Sequence, residues 1–409
     1  MKTDECSGCP PSASKQRPGL CGGKYVKAIR GLLKRLRPIE DDPKRELYFD
    51  DYVCFVLLHL FNPELDSLRV LQMKSEEQSF QQRFALPRFS LGSFSEAGGT
   101  FPAAHLLPIL QEVFDRLPPR PLHRELLALT KEVVAFDGSL LNAMATMDWA
   151  HWREQENAAK MHAFYSVTRG APWFARLTDA NTDERAILQQ HIAPNLLYVI
   201  DRGLRDYSLL NDILKEHSSF VLRSPENISY KVSKPLPLSE AAQEAGVQSD
   251  EIVRVGCHLS PQLKDRDLRL VKIHVRAAPT LGKVPKHLSR KCKFIRVDPG
   301  EHTLILLTDL LELDVLLIAL LYRCRWEIEI FFRWYKHLLK ADHLLSQRPN
   351  GLLILIYCAI LATLLLTLWA DARPTKYLLR QVSANLMGTL TDSELQDYFH
   401  EMAQPKKIG

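Results

Sequence analysis

From residue 317 to residue 340, apolar side chains recur every three or four positions: Leu317, Leu321, Cys324, Ile328, Phe331, Tyr335 and Leu338. That period predicts one amphipathic helix with this side packed into a core. Tyr322, Arg325, Glu329 and Lys336 fall in one stripe on the other side, because offsets of three, seven and fourteen residues nearly close whole turns. Trp326, Arg333 and Lys340 border the stripe. The exposed face is thus a single carboxylate within a ring of cations and aromatic groups.

Ahead of this helix the texture divides near Lys131. Phe49 to Phe61, a stretch around Ser67 to Ser75, and Ala103 to Arg116 read as short helices separated by Pro and Gly. Lys24 to Arg37 is a basic amphipathic helix without an acid, suited either to DNA phosphates or to a solvated surface. Beyond Lys131, strands and helices alternate. Val133 to Phe136 is an apolar run read as a strand that ends at Asp137, and Asn195 to Ile200 is another that ends at Asp201. Lys160 to Thr168 and Trp173 to Leu177 are strands around a turn at Gly170; Phe220 to Arg223 is a further strand. Ala186 to His191 and Leu209 to His217 are helices.

Asp201 and Glu329 are about 130 residues apart, more than one connection needs. The interval contains strand patterns at Ile252 to Val255, Leu268 to Val275, Phe294 to Val297 and Thr303 to Thr308. It is basic, with Lys264, Arg266, Arg269, Lys272, Arg276, Lys283, Lys286, Arg290, Lys291, Lys293 and Arg296 available to line a DNA channel.

Composition narrows the picture modestly. The 409 residues, 46% apolar and 25% charged, suit a globular chain of one to three domains. A net charge of +5 does not by itself demand a nucleic-acid partner. Cys6, Cys9 and Cys21 cluster and the other five cysteines are scattered, which is neither a disulfide framework nor paired zinc knuckles, so reduced thiols are expected. The first residues are polar, and no signal peptide is expected. Leu352 to Ala370 is uncharged and near the roughly 20 residues that span a bilayer. Without a second candidate, and beside a strongly charged helix, it is expected inside the fold.

The charged stripe on its own suits either a solvated face, with Arg325 and Arg333 paired to Glu329 at i,i+4, or a carboxylate holding a divalent cation against a phosphodiester. The literal string decides between them. Tyr322, Arg325, Glu329 and Lys336 match Y-x2-R-x3-E-x6-K, and Arg325-Trp326, Ile328-Glu329 and Phe331-Phe332-Arg333 flank them. This resembles the DDE-type transposases of bacterial insertion sequences that carry the YREK signature. The resemblance covers residues 125 to 372, and the amino-terminal region loosely. It implies catalytic, metal-holding roles for Asp137 in FDGS, Asp201 in VIDRG and Glu329. Leu204 stands where the family usually has Tyr after Arg-Gly, and no Trp lies between Phe220 and Tyr322, so Trp326 is the candidate for stacking on an extruded base.

The implied fold is α/β: an RNase H-like catalytic core with a β-rich insertion at about 225–310, preceded by a small helical domain. Residues 1–22 are expected to be a disordered tail, 23–125 a helical DNA-binding domain, 126–372 the catalytic domain and 373–409 a helical tail. The implied activity is cleavage at element ends and joining of 3′-hydroxyls to target DNA through a hairpin. Two Mg²⁺ or Mn²⁺ ions serve as cofactors and Tyr322, Arg325, Trp326, Arg333 and Lys336 as DNA contacts. Partners are double-stranded DNA, as terminal inverted repeats and target, and a second copy in a synapsed homodimer; no membrane is expected, and the setting is the bacterial cytoplasm, at the nucleoid. Two alternatives share the fold: another RNase H-like nuclease, and an inactive or host-adopted DNA-binding protein.

Overall fold

The computed structural model describes residues 22–40, 42, 44–62, 64–119, 123–142, 147–153, 156–256, 263–275, 302–339 and 344–403. The expected tail before Gly22, the strand at 294–297, Lys340 and the cations from Arg276 to Arg296 lie outside them.

The amino-terminal helices are α1 (Gly22–Leu33), α2 (Phe49–Phe61), α3 (Leu68–Glu76), α4 (Gln78–Phe84), α5 (Leu91–Thr100) and α6 (Leu107–Asp115). Ser67 and Ser90 cap α3 and α5 by accepting from Val70 N and Ser93 N, which fixes where these short helices begin. α2 is buried along its whole length and stacks Phe49 on Phe101 at 4.7 Å. Three cations at the end of the basic segment are committed to acids: Arg30 to Asp51, Arg35 to Glu112, and Arg37 to both Asp50 and Asp51.

A ten-stranded sheet follows, with order β2-β3-β1-β5-β6-β10-β9-β8-β7 and β4 also paired to β3. The central strands are β1 (Glu132–Asn142), β3 (Glu156–Ser166), β4 (Ala171–Asp179), β5 (Leu196–Ile200) and β6 (Ser219–Ser224), with β2 (His151–Arg153) at the margin. β3 runs antiparallel to β1 and β4, whereas β1, β5 and β6 are parallel, joined by α7 (Glu184–Gln190) and α8 (Tyr207–Lys215). Such parallel neighbours need crossovers, and helices supply them. β7 (Tyr230–Pro235), a short α9 (Glu240–Glu244), β8 (Val247–Val255), β9 (Leu268–Val275) and β10 (His302–Thr308) are antiparallel and extend the same sheet through β6.

Three expectations need correction. Asp137 does not end a strand: β1 continues to Asn142 because β3 pairs with it as far as Asn142↔Ala158. The helix over 317–340 is two helices, α10 (Val315–Cys324) and α11 (Trp326–Leu339). They meet at Arg325, where Arg325 N donates to Tyr322 O at 3.0 Å and Ile328 N to Arg325 O at 3.1 Å, i→i−3 bonds that tighten the turn. Arg269 lines no channel; it is 5% exposed, with both ends of its fork on Asp250. Strand alternation aims it at the same side as Val271 and Ile273, which is core.

α12 (Pro349–Ala370) is the helix that the amino-terminal elements and the sheet share. It is the one helix among the described residues long and apolar enough to cross a membrane, yet 89% of its most apolar 18-residue window is buried within the fold. Tyr357 donates to Ala175 O on β4 at 3.2 Å, Trp334 Nε1 to Thr363 Oγ1 at 3.1 Å, and Asn350 to Phe101 O at 2.7 Å. One apolar cluster therefore runs from Ile29 and Phe55 through α12 to Phe331 and on to Phe399. Each fully buried Leu or Ile in it contributes roughly 1.5–3 kcal/mol. α13 (Lys376–Met387) and α14 (Asp392–Ala403) are the last helices among the described residues, with Thr375 capping α13 and Gly388 ending it in the left-handed region. A second cluster, on the other face of the sheet, includes Phe136, Phe164, Leu188, Ile213 and Leu270.

Candidate active site

Alternation along β1 sends Val133 and Ala135 to the first cluster and Val134 and Phe136 to the second. Asp137 follows the first set, toward the side where Phe331 of α11 lies 5.6 Å from the Tyr165 ring. β5 pairs with β1 over Glu132 to Ala135, so Asp137 falls just past the shared ladder, beside the end of β5. Asp201 follows Ile200 at that end and caps a 3-10 turn, Oδ1 accepting from Arg202 N at 2.8 Å. Glu329 lies in the first turn of α11.

Arg325 and Tyr322 tie the three carboxylates together. Arg325 Nη2 donates to Glu329 Oε1 at 2.7 Å, and Nη1 lies 3.6 Å from Asp137 Oδ2. Tyr322 Oη donates to Asp201 Oδ1 at 3.0 Å. Burial pushes Asp137 up to about 7, against the pull of Arg325, with Glu184 and Asp201 adding to the rise. Tyr322 is pushed up to about 12 by burial, then by Asp201. Arg325 is held further above its ordinary range by Tyr322, Asp201, Glu329 and Asp137, which outweigh its burial.

The chemistry of the donor set suits a hard divalent cation, because oxygen ligands of this kind select Mg²⁺ or Mn²⁺ over zinc. Among the described residues, no three His, Cys, Asp or Glu groups stand close enough to hold an ion. The guanidinium of Arg325 is instead the positive charge between Asp137 and Glu329. Trp326 is 51% exposed, and Arg333 and Lys336 are also exposed along α11.

Two residues that sequence reasoning missed belong to this neighbourhood. Glu184 on α7 lies behind Asp137: a Cβ on Gly138 would meet Glu184 Oε1 at 2.5 Å, so the glycine makes room for it. Its carboxylate pairs with Lys160 of β3 at 3.4 Å. Nothing in the spacing connects these three positions before β1 and β3 are in register. Arg223 on β6 adds a positive charge that opposes the rise at Tyr322. Its signal was legible, since it sits near the carboxyl end of the strand parallel to the one delivering Asp201.

The transposase DDE domain profile matches residues 128–365. A Sinorhizobium fredii protein named as transposase y4zB is 28% identical over 223 residues, 54% of this chain and 56% of its own length. A Geobacillus stearothermophilus protein, named as a transposase for insertion sequence element IS5377, is 22% identical over 284 residues, 69% of this chain and 68% of its own. The chain thus spans little more than half the length of the first of these relatives. A piggyBac transposase synaptic complex with hairpin DNA aligns over 97% of this chain and 88% of its own at a TM-score of 0.43 and 10% identity, a likeness too loose to argue from. The domain profile alone spans more than half of the 409 residues, and it contains Asp137, Asp201 and Glu329, so the chain belongs to the family of DDE-domain transposases.

Proposed function

We propose that this protein is an insertion-sequence transposase that cuts DNA at the ends of its element and joins the freed 3′-hydroxyls to target DNA. The observation that carries the reading is the convergence of Asp137, Asp201 and Glu329 on Arg325 and Tyr322. An aspartate on one strand, a second just past the end of the parallel neighbouring strand, and a glutamate on a packed helix also support an RNase H-like core. Asp137, Asp201 and Glu329 would hold two Mg²⁺ or Mn²⁺ ions, which supply activation of the attacking oxygen and stabilisation of the leaving one.

The remaining roles fall to the chain's own groups. Tyr322, Arg325 and Lys336 grip phosphates at the processed end, Tyr322 by its hydroxyl and the other two by charge. Exposed Trp326 stacks on a base turned out as the end passes through a hairpin, and Arg333 extends the phosphate track. The helices of residues 23–125 read the terminal inverted repeats, and two copies bring two ends together in the bacterial cytoplasm.

The test is a single-turnover assay with the full chain, duplex carrying its own element ends, and Mg²⁺ or Mn²⁺. Release of a 3′-hydroxyl at the element boundary is expected, followed by a hairpin and joining. Asp137→Asn, Asp201→Asn and Glu329→Gln should bind ends within about twofold of wild type and cut nothing, since the amide keeps the shape but not the charge that balances metal. Wild-type protein that binds its ends but never frees a 3′-hydroxyl would sink the reading.

A further inference from the structure

We propose that Arg269, on β9 of the insertion, is a positioning residue that sets where the helix bearing Tyr322 begins. This rests on the reading of Asp137, Asp201 and Glu329 as the active site. Arg269 Nε and Nη2 donate to Asp250 Oδ1 and Oδ2 at 2.7 and 2.6 Å. Its third nitrogen, Nη1, donates to the carbonyls of Leu311 at 3.0 Å and Leu310 at 3.4 Å, and to Leu313 O. Both partners are buried, Arg269 to 5% and Asp250 to 4% exposure. The carbonyls belong to the link between β10 and α10, and the next residue, Asp314, caps α10 by accepting from Leu316 N at 2.9 Å and Leu317 N at 3.3 Å.

From this anchored start, α10 delivers Tyr322 in its last turn onto Asp201, and Arg325 immediately after it onto Glu329. The helix has 10 residues. At about 1.5 Å per residue, a tilt of about 10° at its start moves the far end by roughly 2.6 Å, enough to break a hydrogen bond there. A planar fork with five donors bridges a carboxylate and a row of carbonyls; an ammonium on a flexible stem does not. Misplacement by about 1 Å at a reacting site costs up to about a hundredfold in rate.

Four readouts test this on the full-length protein: thermal midpoint, binding of element ends, single-turnover release of the 3′-hydroxyl, and hydrogen exchange of the Val315–Cys324 amides. Arg269→Lys keeps the charge and loses the fork. The double variant Asp250→Leu with Arg269→Met replaces a buried pair by apolar groups of similar size, a change often neutral for stability. Both should bind ends within about twofold of wild type, release the 3′-hydroxyl at least about tenfold more slowly, and exchange the α10 amides faster. A folded Arg269→Lys or double variant with wild-type cleavage and wild-type α10 exchange overturns the proposal. Wild-type protein without cleavage would count against the transposase reading, and α10 exchange would still decide the positioning role.

Discussion

Arg325 donates from Nη2 to Glu329 Oε1 at 2.7 Å while its Nη1 sits 3.6 Å from Asp137 Oδ2. One guanidinium, 8% exposed, thus neutralises two of the three carboxylates of the candidate site. A divalent ion binding Asp137 and Glu329 has to compete with it. A charge-assisted hydrogen bond is worth about 1.5–3 kcal/mol, so Arg325→Ala should bind Mn²⁺ roughly ten- to a hundredfold more tightly in the absence of DNA. Titration calorimetry of both proteins gives the comparison directly. An unchanged or weaker affinity in Arg325→Ala would show that the arginine assembles the carboxylates rather than competing for them.

His162 is fully buried on β3, with Nε2 sharing a hydrogen bond with Thr178 Oγ1 at 2.9 Å and Nδ1 without a partner. Burial first, and Lys160 second, push its pKa down to about 4 from 6.5. The unfolded chain therefore takes up this proton more readily than the folded one. His162 contributes stability that is fully present above about 6.5 and is lost as pH falls toward about 4, at up to about 1.4 kcal/mol per pH unit. Urea unfolding at several pH values should show a shallower loss over that window for His162→Gln. Parallel curves for the two proteins would count against this assignment.

α5 crosses α12 at a pair of glycines. A Cβ on Gly351 would meet Ser346 Oγ at 2.1 Å and Gly98 Cα at 3.2 Å. Turning the serine hydroxyl away does not relieve this, because the Ser346 Cβ would still stand 2.7 Å from the new Cβ and the Gly98 backbone faces it from the other helix. Gly351→Val should cost about 1–3 kcal/mol through overpacking, and it should loosen the amino-terminal helices from the sheet together with α12. Thermal unfolding checks the first part. Protection of α5 amides from exchange checks the second.

Glu327 is 2% exposed and is held by Arg373, beyond the end of α12. Burial pushes the Glu327 carboxyl up, and Arg373 opposes that. Arg373→Ala should therefore cost about 3 kcal/mol, since it strands a buried carboxylate, whereas Glu327→Gln with Arg373→Met should recover most of the loss. Denaturant midpoints of the single and double variants decide it. A double variant as unstable as Arg373→Ala would mean that the pair does more than cancel charge.

What the chain determined locally is what short stretches can encode. The apolar period around Leu321 and Phe331, the strand runs before Asp137 and Asp201, and the uncharged Leu352 to Ala370 each specify an element from neighbours within a few positions. The YREK-like string pointed to Asp137, Asp201 and Glu329, which the fold then brings onto Arg325 and Tyr322. Other features belong to the tertiary structure because they depend on partners far off in the chain. β1 runs past Asp137 because β3 continues its ladder, and the motif helix divides at Arg325, whose side chain is drawn among the carboxylates. Lysines and arginines show this most clearly. Sequence spacing cannot tell a cation meant for DNA from one meant for a carboxylate, and Arg269 was settled by register alone, which turned its side chain inward onto Asp250 and the carbonyls ahead of α10.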